Sequence, residues 1–218
     1  LAHMSHDTTW VEAFRAGADI HTRTAAEIFG LDTDQVTPAL RNAAKAINFG
    51  IVYGISSFGL SKGTGLSVQE AQAYIDKYFE KYSGVKAYLD RSVEETRARG
   101  YVTTLFNRRR YLPDIRSRRW VQRNFAERAA MNAPIQGTAA DIIKMAMVAL
   151  ERKISACGLR AEMLLQVHDE LVFEVHTEDL KAVADLVKET MEGIVTLNVP
   201  LVVEVKIGPN WRDVEAIV

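Results

Sequence analysis

Cysteine is almost absent: Cys157 stands alone among 218 residues, which rules out an internal disulfide and a zinc centre built on several thiolates. Long apolar runs are missing as well. Nothing approaches the roughly 20 consecutive apolar residues that cross a bilayer, so no membrane partner is expected. The opening residues, Leu1-Ala2-His3-Met4-Ser5-His6-Asp7, have neither a basic start nor an apolar stretch and do not read as a secretory signal. A cytoplasmic location is the expectation. Repeats and low-complexity tracts are lacking. What is present is an ordinary globular composition, 48% apolar and 25% charged, in a length suited to one large domain or two modest ones. That excludes a disordered tail, a collagenous repeat and a disulfide scaffold.

A net charge of −1 hides an uneven distribution. Residues 97–128 carry ten basic and two acidic side chains, while the segments on either side are net acidic. Lysine is missing from that middle segment, where all ten cations are arginine. Arginine presents a planar fork of donors suited to phosphate, whereas a merely solvated surface would normally mix in lysine. The competing reading is a helix face laced with salt bridges.

Local patterns give a helical first part. Thr8 or Thr9 is placed to cap a short helix through Phe14, and Asp19 another ending near Gly30. Thr37 followed by Pro38 opens a better-marked helix through Tyr53, closed by Gly54. The glycine-rich stretch 59–65 reads as a turn, because it lacks the Gly-Lys-Ser/Thr order of a phosphate loop and the third glycine of a dinucleotide fingerprint. Ser67 and Glu70 form a capping box ahead of helices over 68–82 and 85–99. A short hairpin around Asn107 follows, then a helix from Arg119 that Pro134 should end. The next helix, Thr138 to Cys157, would bury Ile142, Met145, Ala146, Ala149 and Leu150, with Cys157 as small core filling. The remainder reads β, β, α, β. Strands 163–167 and 171–175 flank the polar turn His168-Asp169-Glu170, a helix covers 177–191, and a strand covers 200–207. The expected fold class is α+β.

Two groups of residues suggest chemistry. Arg41, Lys45, Phe49 and Tyr53 recur every four positions and so form one drifting helical stripe, cations first and rings beyond. Such a stripe could hold a nucleotide lengthwise, or its rings could simply pack into a core. The adjacent carboxylates Asp169 and Glu170 could offer oxygen ligands to Mg²⁺, or could be ordinary turn residues. His3 and His6 have no neighbouring Cys or acidic helical partner and are not read as metal ligands.

Taken in order, these pieces resemble a known set. Arg41-xxx-Lys45-xxx-Phe49-Gly50-xx-Tyr53-Gly54 is similar to motif B of the family A DNA polymerases, and Gln166-Val167-His168-Asp169-Glu170-Leu171 to their motif C. Arg108-Arg109-Arg110-Tyr111-Leu112-Pro113-Asp114 and the block Asn132-Ala133-Pro134-Ile135-Gln136-Gly137 also read like that family. The resemblance implies a mainly helical fingers subdomain plus a partial palm whose small antiparallel sheet packs on helices. Its limits would be a palm-fingers junction over 1–20, fingers over 21–126 and the C-terminal part of the palm over 127–218.

By the same resemblance His21, Arg41 and Lys45 contact the incoming triphosphate, with Lys45 also placed to protonate departing pyrophosphate. Phe49 would pack on sugar and base, and Tyr53 would sit beside the nascent pair. Arg128, Asn132, Gln136 and His168 would line primer-template DNA, and Arg108, Arg109 and Arg110 would hold its backbone. Asp169 is implied as a catalytic Mg²⁺ ligand, with Glu170 as a neighbouring carboxylate of lesser weight. The implied partners are a deoxynucleoside triphosphate (dNTP) and primer-template DNA, in a cytoplasmic, nucleoid-associated setting. The family's motif A, Asp-Tyr-Ser-Gln-Ile-Glu-Leu-Arg, does not occur here, and neither does a thumb. The expectation is therefore a fragment that needs its N-terminal palm and thumb and is inactive alone. The alternative is a non-catalytic nucleic-acid-binding module using the arginine segment 97–128.

Overall fold

The computed structural model describes residues 1–217. The chain divides into two compact units, Leu1–Gly137 and Thr138–Val218. The first contains α1 (Ala2–Ser5), α2 (Thr8–Arg15), α3 (Ile20–Phe29), α4 (Pro38–Val52), α5 (Ser57–Thr64), α6 (Val68–Lys81) and α7 (Ser83–Arg99), then the antiparallel pair β1 (Tyr101–Thr103) and β2 (Arg109–Tyr111). A long helix, α8 (Trp120–Ala156), carries the chain onward. The second unit adds the hairpin β3 (Ala161–Val167) and β4 (Glu170–Val175), then α9 (Leu180–Gly193) and a short pair, β5 (Lys206–Ile207) and β6 (Glu215–Ala216). The class is α+β, as expected.

Side-chain caps set most helix starts. Asp19, Thr37 and Ser67 accept backbone N–H bonds where anticipated, and Ser67 with Glu70 completes the capping box. For α2 the cap is Asp7 rather than Thr8 or Thr9. Its carboxylate accepts from the Trp10 amide at 3.1 Å and, with its other oxygen, from the Gly84 amide at 3.0 Å at the start of α7. One buried aspartate thus fixes two helix ends. Trp10, Tyr78 and Tyr82 pack edge to face beside it, with ring centroids 4.7 to 5.9 Å apart, and both tyrosines are fully buried.

Two sequence expectations fail because packing outweighs local propensity. The glycine-rich stretch is not a turn: Ser56 caps α5 through the Gly59 amide, Leu60 is buried, and Gly65 closes the helix in the left-handed region. Capping at both ends and one buried leucine offset the cost of two interior glycines. Pro134 lies inside α8 and does not end it. An interior proline costs about 3 kcal/mol. Against that, Ala126, Ala130 and Ala133 form a small buried face that packs closely on Val93, Val102, Leu112 and Ile115.

Gly137 shows how tight this packing is. A Cβ there would lie 2.6 Å from Thr104 Cγ2, and the Gly137 carbonyl accepts from the Arg108 guanidinium at 2.9 Å. The missing side chain is what lets the hairpin loop lie on the helix.

In the second unit Leu150, Ile154, Val183 and Val187 form the core, covered by Met163, Leu171, Phe173 and Val175 of the hairpin. The stripe drawn from sequence was turned slightly: Ile143, Ala146, Leu150 and Ile154 are buried, whereas Met145 is exposed. Cys157 is exposed too, at the end of α8, and fills no core. The strand expected over 200–207 is reduced to Lys206–Ile207, and Val202 is 81% exposed. Alternation marks the faces of a strand, but a strand also needs a neighbour to receive its hydrogen bonds. Glu170 pairs with Val167, so the turn is the two residues His168-Asp169, not three.

Gly137→Ala tests the close approach. Helix propensity alone would make alanine about 1 kcal/mol better. The clash with Thr104 is expected to reverse that sign and destabilise by about 1–3 kcal/mol. Adding Thr104→Ser, which removes Cγ2 and keeps the hydroxyl, should recover most of the loss in urea denaturation. A Gly137→Ala chain as stable as the parent would contradict this packing.

Candidate functional site

The stripe on α4 is formed as anticipated and faces solvent. Phe49 and Tyr53 are 49% and 48% exposed, so neither ring serves as core. Arg41 does not project freely. It grips Asp19 Oδ2 through Nε at 2.7 Å and a terminal nitrogen at 2.6 Å, while the other Asp19 oxygen caps α3 through the His21 and Thr22 amides. His21 follows directly and lies on Phe49, centroids 5.7 Å apart, and the Lys45 ammonium sits 5.9 Å from the same ring centroid. Asp19 therefore gathers Arg41 and His21 at one corner, with Lys45 and Phe49 beside them.

That corner has a buried floor. The Asn48 amide nitrogen lies 3.0 Å from His21 Nδ1 and 3.1 Å from Thr24 Oγ1, and the Tyr82 hydroxyl is 3.3 Å from the same Thr24 oxygen. Burial holds His21 below the usual histidine range; Arg41 and Lys45 push the same way and Asp19 opposes. Asp19 itself is pushed up by desolvation, but the Thr22 amide and the Arg41 guanidinium more than compensate and leave it below the usual carboxylate range.

Arg128, Asn132 and Gln136 recur at steps of four on α8 and share a face. Gln136 donates to the Tyr53 hydroxyl at 3.3 Å. The Arg128 side chain packs over Gly54, whose positive φ of 64° and bare Cα leave it room. These contacts join the end of α4 to α8. Among the described residues Asn132 Oδ1 is buried without a hydrogen-bond partner, a state that costs about 1–3 kcal/mol. Nearby, Arg108, Arg109 and Arg110 line a cavity of about 140 Å³ with Gln136 and Gly137, and Arg109 stacks 4.9 Å from the centroid of Tyr101.

The arginine-rich segment is only partly a free surface. Arg97 and Arg123 pair with Glu127, Arg99 pairs with Glu95, and Arg116 caps the end of α7 through the carbonyls of Arg97 and Ala98. The salt-bridge reading holds for these residues, while Arg108, Arg109 and Arg110 are exposed.

In the second unit His168, Asp169 and Glu170 are exposed at the β3–β4 tip. His168 has φ 55°, a left-handed conformation costly for a residue with Cβ, and its carbonyl accepts from the Gln166 side chain at 2.6 Å. Asp169 and Glu170 supply hard oxygen donors of the kind Mg²⁺ takes. Among the described residues, no set of three or more His, Cys, Asp or Glu side chains is placed to hold a metal ion. The donor chemistry fits; the pair is short of a full set. No helix among the described residues is long and apolar enough to cross a membrane.

The helix face offers cations and rings, and the hairpin tip offers carboxylate oxygens. The profile of DNA polymerase family A matches residues 1–213. DNA polymerase I of Bacillus subtilis (strain 168) is 53% identical over 213 residues, covering 98% of this chain and 24% of its own length. DNA polymerase I of Pseudomonas aeruginosa is 50% identical over 213 residues, again 98% of this chain and 23% of the relative. Among solved structures, the POL domain of Pol1 from M. smegmatis, in complex with DNA primer-template and dNTP, matches with a TM-score of 0.89 at 45% identity. That match covers 92% of this chain and 35% of the other. The chain belongs to DNA polymerase family A. It spans about a quarter of the length of these polymerase I relatives.

Sequence reasoning missed the supporting residues. Asp19 was read only as a helix cap, and Asn48, Thr24 and Tyr82 were not singled out. The available signal was Asn48 itself, a polar residue on the α4 face whose other members, Ala44, Ile47 and Ile51, are buried.

The lowered His21 pKa has a testable sign. Its folded value lies below its unfolded value, so the stabilisation is complete above the ordinary value and lost as pH falls through the lower, folded one. Thermal denaturation should therefore show the parent losing stability relative to His21→Gln as pH falls below the ordinary histidine value of about 6.5. Parallel curves for the two proteins would contradict the burial of the neutral ring.

Proposed function

We propose that this chain is the fingers (21–126), the palm-fingers junction (1–20) and the C-terminal part of the palm (127–218) of a DNA-directed DNA polymerase. The observation that carries this reading is the corner where Asp19 holds Arg41 beside His21, Lys45 and Phe49, in a chain of this family. Further support is the primer-template and dNTP in the M. smegmatis structure. Arg41, Lys45 and His21 meet the triphosphate of the incoming dNTP. Charge neutralisation by the two cations lowers the cost of bringing a polyanion to the reaction. Phe49 lies against sugar and base, and Tyr53, held by Gln136, borders the nascent pair.

Arg128, Asn132, Gln136 and His168 contact primer-template DNA. The unpaired Asn132 oxygen is suited to a donor from outside the chain, and minor-groove contacts of this type read pair shape without reading sequence. Arg108, Arg109 and Arg110 hold the phosphate backbone.

The reaction is attack of the primer 3′-hydroxyl on the α-phosphate with release of pyrophosphate, which Lys45 protonates as it departs. Asp169, with Glu170 nearby and a further carboxylate from the upstream palm, would hold Mg²⁺, whose role is to lower the pKa of the hydroxyl and to offset charge on the leaving group. Because that carboxylate is not among these 218 residues, catalysis requires the upstream palm and thumb of the same polymerase. A cytoplasmic, nucleoid-associated location accompanies this role.

The chain alone should therefore give no primer extension, and activity should appear when the upstream part is supplied. In the reconstituted enzyme, Asp169→Ala should abolish extension, and Lys45→Ala should lower kcat by about 100-fold or more. Single-nucleotide incorporation at saturating dNTP measures both. Templated synthesis by the 218 residues alone, or full activity in Asp169→Ala, would overturn the assignment. Salt-sensitive DNA binding that no dNTP alters, even after reconstitution, would instead identify a binding module working through its arginines.

A further inference from the structure

We propose that Asn48 is a positioning residue of the nucleotide site: it holds the His21 imidazole as the Nε2–H tautomer, so that an arriving phosphate meets a donor of fixed direction. The inference rests on the reading of His21, Arg41 and Lys45 as the triphosphate site.

The argument is hydrogen-bond accounting in a buried cluster. Thr24 is fully buried, and its hydroxyl lies 2.7 Å from the Ile20 carbonyl, which takes its single hydrogen. Three other polar atoms face Thr24 Oγ1: the Tyr82 hydroxyl at 3.3 Å, the Asn48 amide nitrogen at 3.1 Å and Asn48 Oδ1 at 3.3 Å. The nearer Asn48 atom is the amide nitrogen, which can donate to an oxygen whose hydrogen is already given to Ile20. Turning the amide over would move Oδ1 from the longer contact to the shorter one, against an oxygen with no hydrogen left to give. The second hydrogen of the same nitrogen points at His21 Nδ1, 3.0 Å away. Nδ1 therefore accepts, and the ring proton resides on Nε2. An imidazolium or an Nδ1–H ring would oppose one N–H to another.

The surroundings agree. Arg41 and Lys45 of α4 and Asp19 at the start of α3 are the charged groups facing the ring, and Phe49 covers one side. With burial, the two cations favour the uncharged imidazole. Nε2 has no hydrogen-bond partner among the described residues. Charge is thus left to Arg41 and Lys45, while His21 contributes one directed donor whose orientation is fixed before the ligand arrives.

The test uses the 218-residue chain labelled with ¹⁵N in the histidine rings, His21 being assigned by its loss in His21→Gln. Long-range ¹H–¹⁵N spectra at pH 7.5 should show His21 as the Nε2–H form. Asn48→Asp, which puts an acceptor where the donor stood, should convert it to an Nδ1–H or doubly protonated ring. Tripolyphosphate and dATP binding by calorimetry should weaken about tenfold in Asn48→Leu and in His21→Gln, the size of one hydrogen bond to a charged partner. The double substitution should be no weaker than either single one.

An Nδ1–H or charged ring in the parent, an unchanged tautomer in Asn48→Asp, or single effects that simply add would overturn the inference. Where Asn48→Leu does not fold, the spectra of the parent and of Asn48→Asp decide alone. The two levels separate cleanly. An Asn48-dependent tautomer in a chain that binds no tripolyphosphate upholds the hold on the ring and removes the triphosphate reading. Binding with an Nδ1–H ring does the reverse.

Discussion

At the crossing of α3 and α4, buried polar groups have no water to turn to and must satisfy one another. Thr24 gives its hydrogen to the Ile20 carbonyl of its own helix, and the Tyr82 hydroxyl and both ends of the Asn48 amide gather around its oxygen. The remaining Asn48 hydrogen is left for His21. These contacts tie α4 to α3, because turning one helix on the other would separate buried donors from their acceptors. Everything on the outer face of α4 inherits that placement. Arg41 comes within reach of Asp19, Phe49 comes to rest beside His21, and Lys45 sits above the ring.

Asp7 and Gly137 do similar work elsewhere in the first unit. Asp7 ties α2 to α7 with two amide bonds, and Gly137 permits the hairpin loop to lie on α8. In both places the outcome depends on a small or short residue that admits close approach. The arginines divide along the same line. Those within reach of Glu95, Glu127 or the carbonyl end of α7 build the fold, whereas Arg109 and Arg110 stay exposed beside the cavity.

Much of this was readable in the residues. Cap residues followed by apolar spacing marked α3, α4 and α6, since capping and helical periodicity are local properties. The order of the two motifs and the Asn132–Gly137 block pointed to the family, which the profile match bears out. Failures arose where a local rule met a competing contact. Pro134 reads as a stop because its ring disfavours the helix, yet three buried alanines pack the turns leading up to it and α8 continues. The stretch 59–65 was read as a turn because glycine is flexible, yet Ser56 and Gly65 cap it at both ends.

The sequence by itself determined which residue types stand at helical spacing on α4 and that Asp169 falls between two strands, because those follow from 3.6-residue and two-residue periodicities within single elements. Only the tertiary structure decided that Asp19 restrains Arg41, that Asn48 faces His21 and that Asn132 keeps an unpaired oxygen. Each of those facts joins positions far apart in the chain, or depends on the absence of a neighbour. Burial and the completion of hydrogen bonds are properties of the packed whole, and no local pattern encodes them.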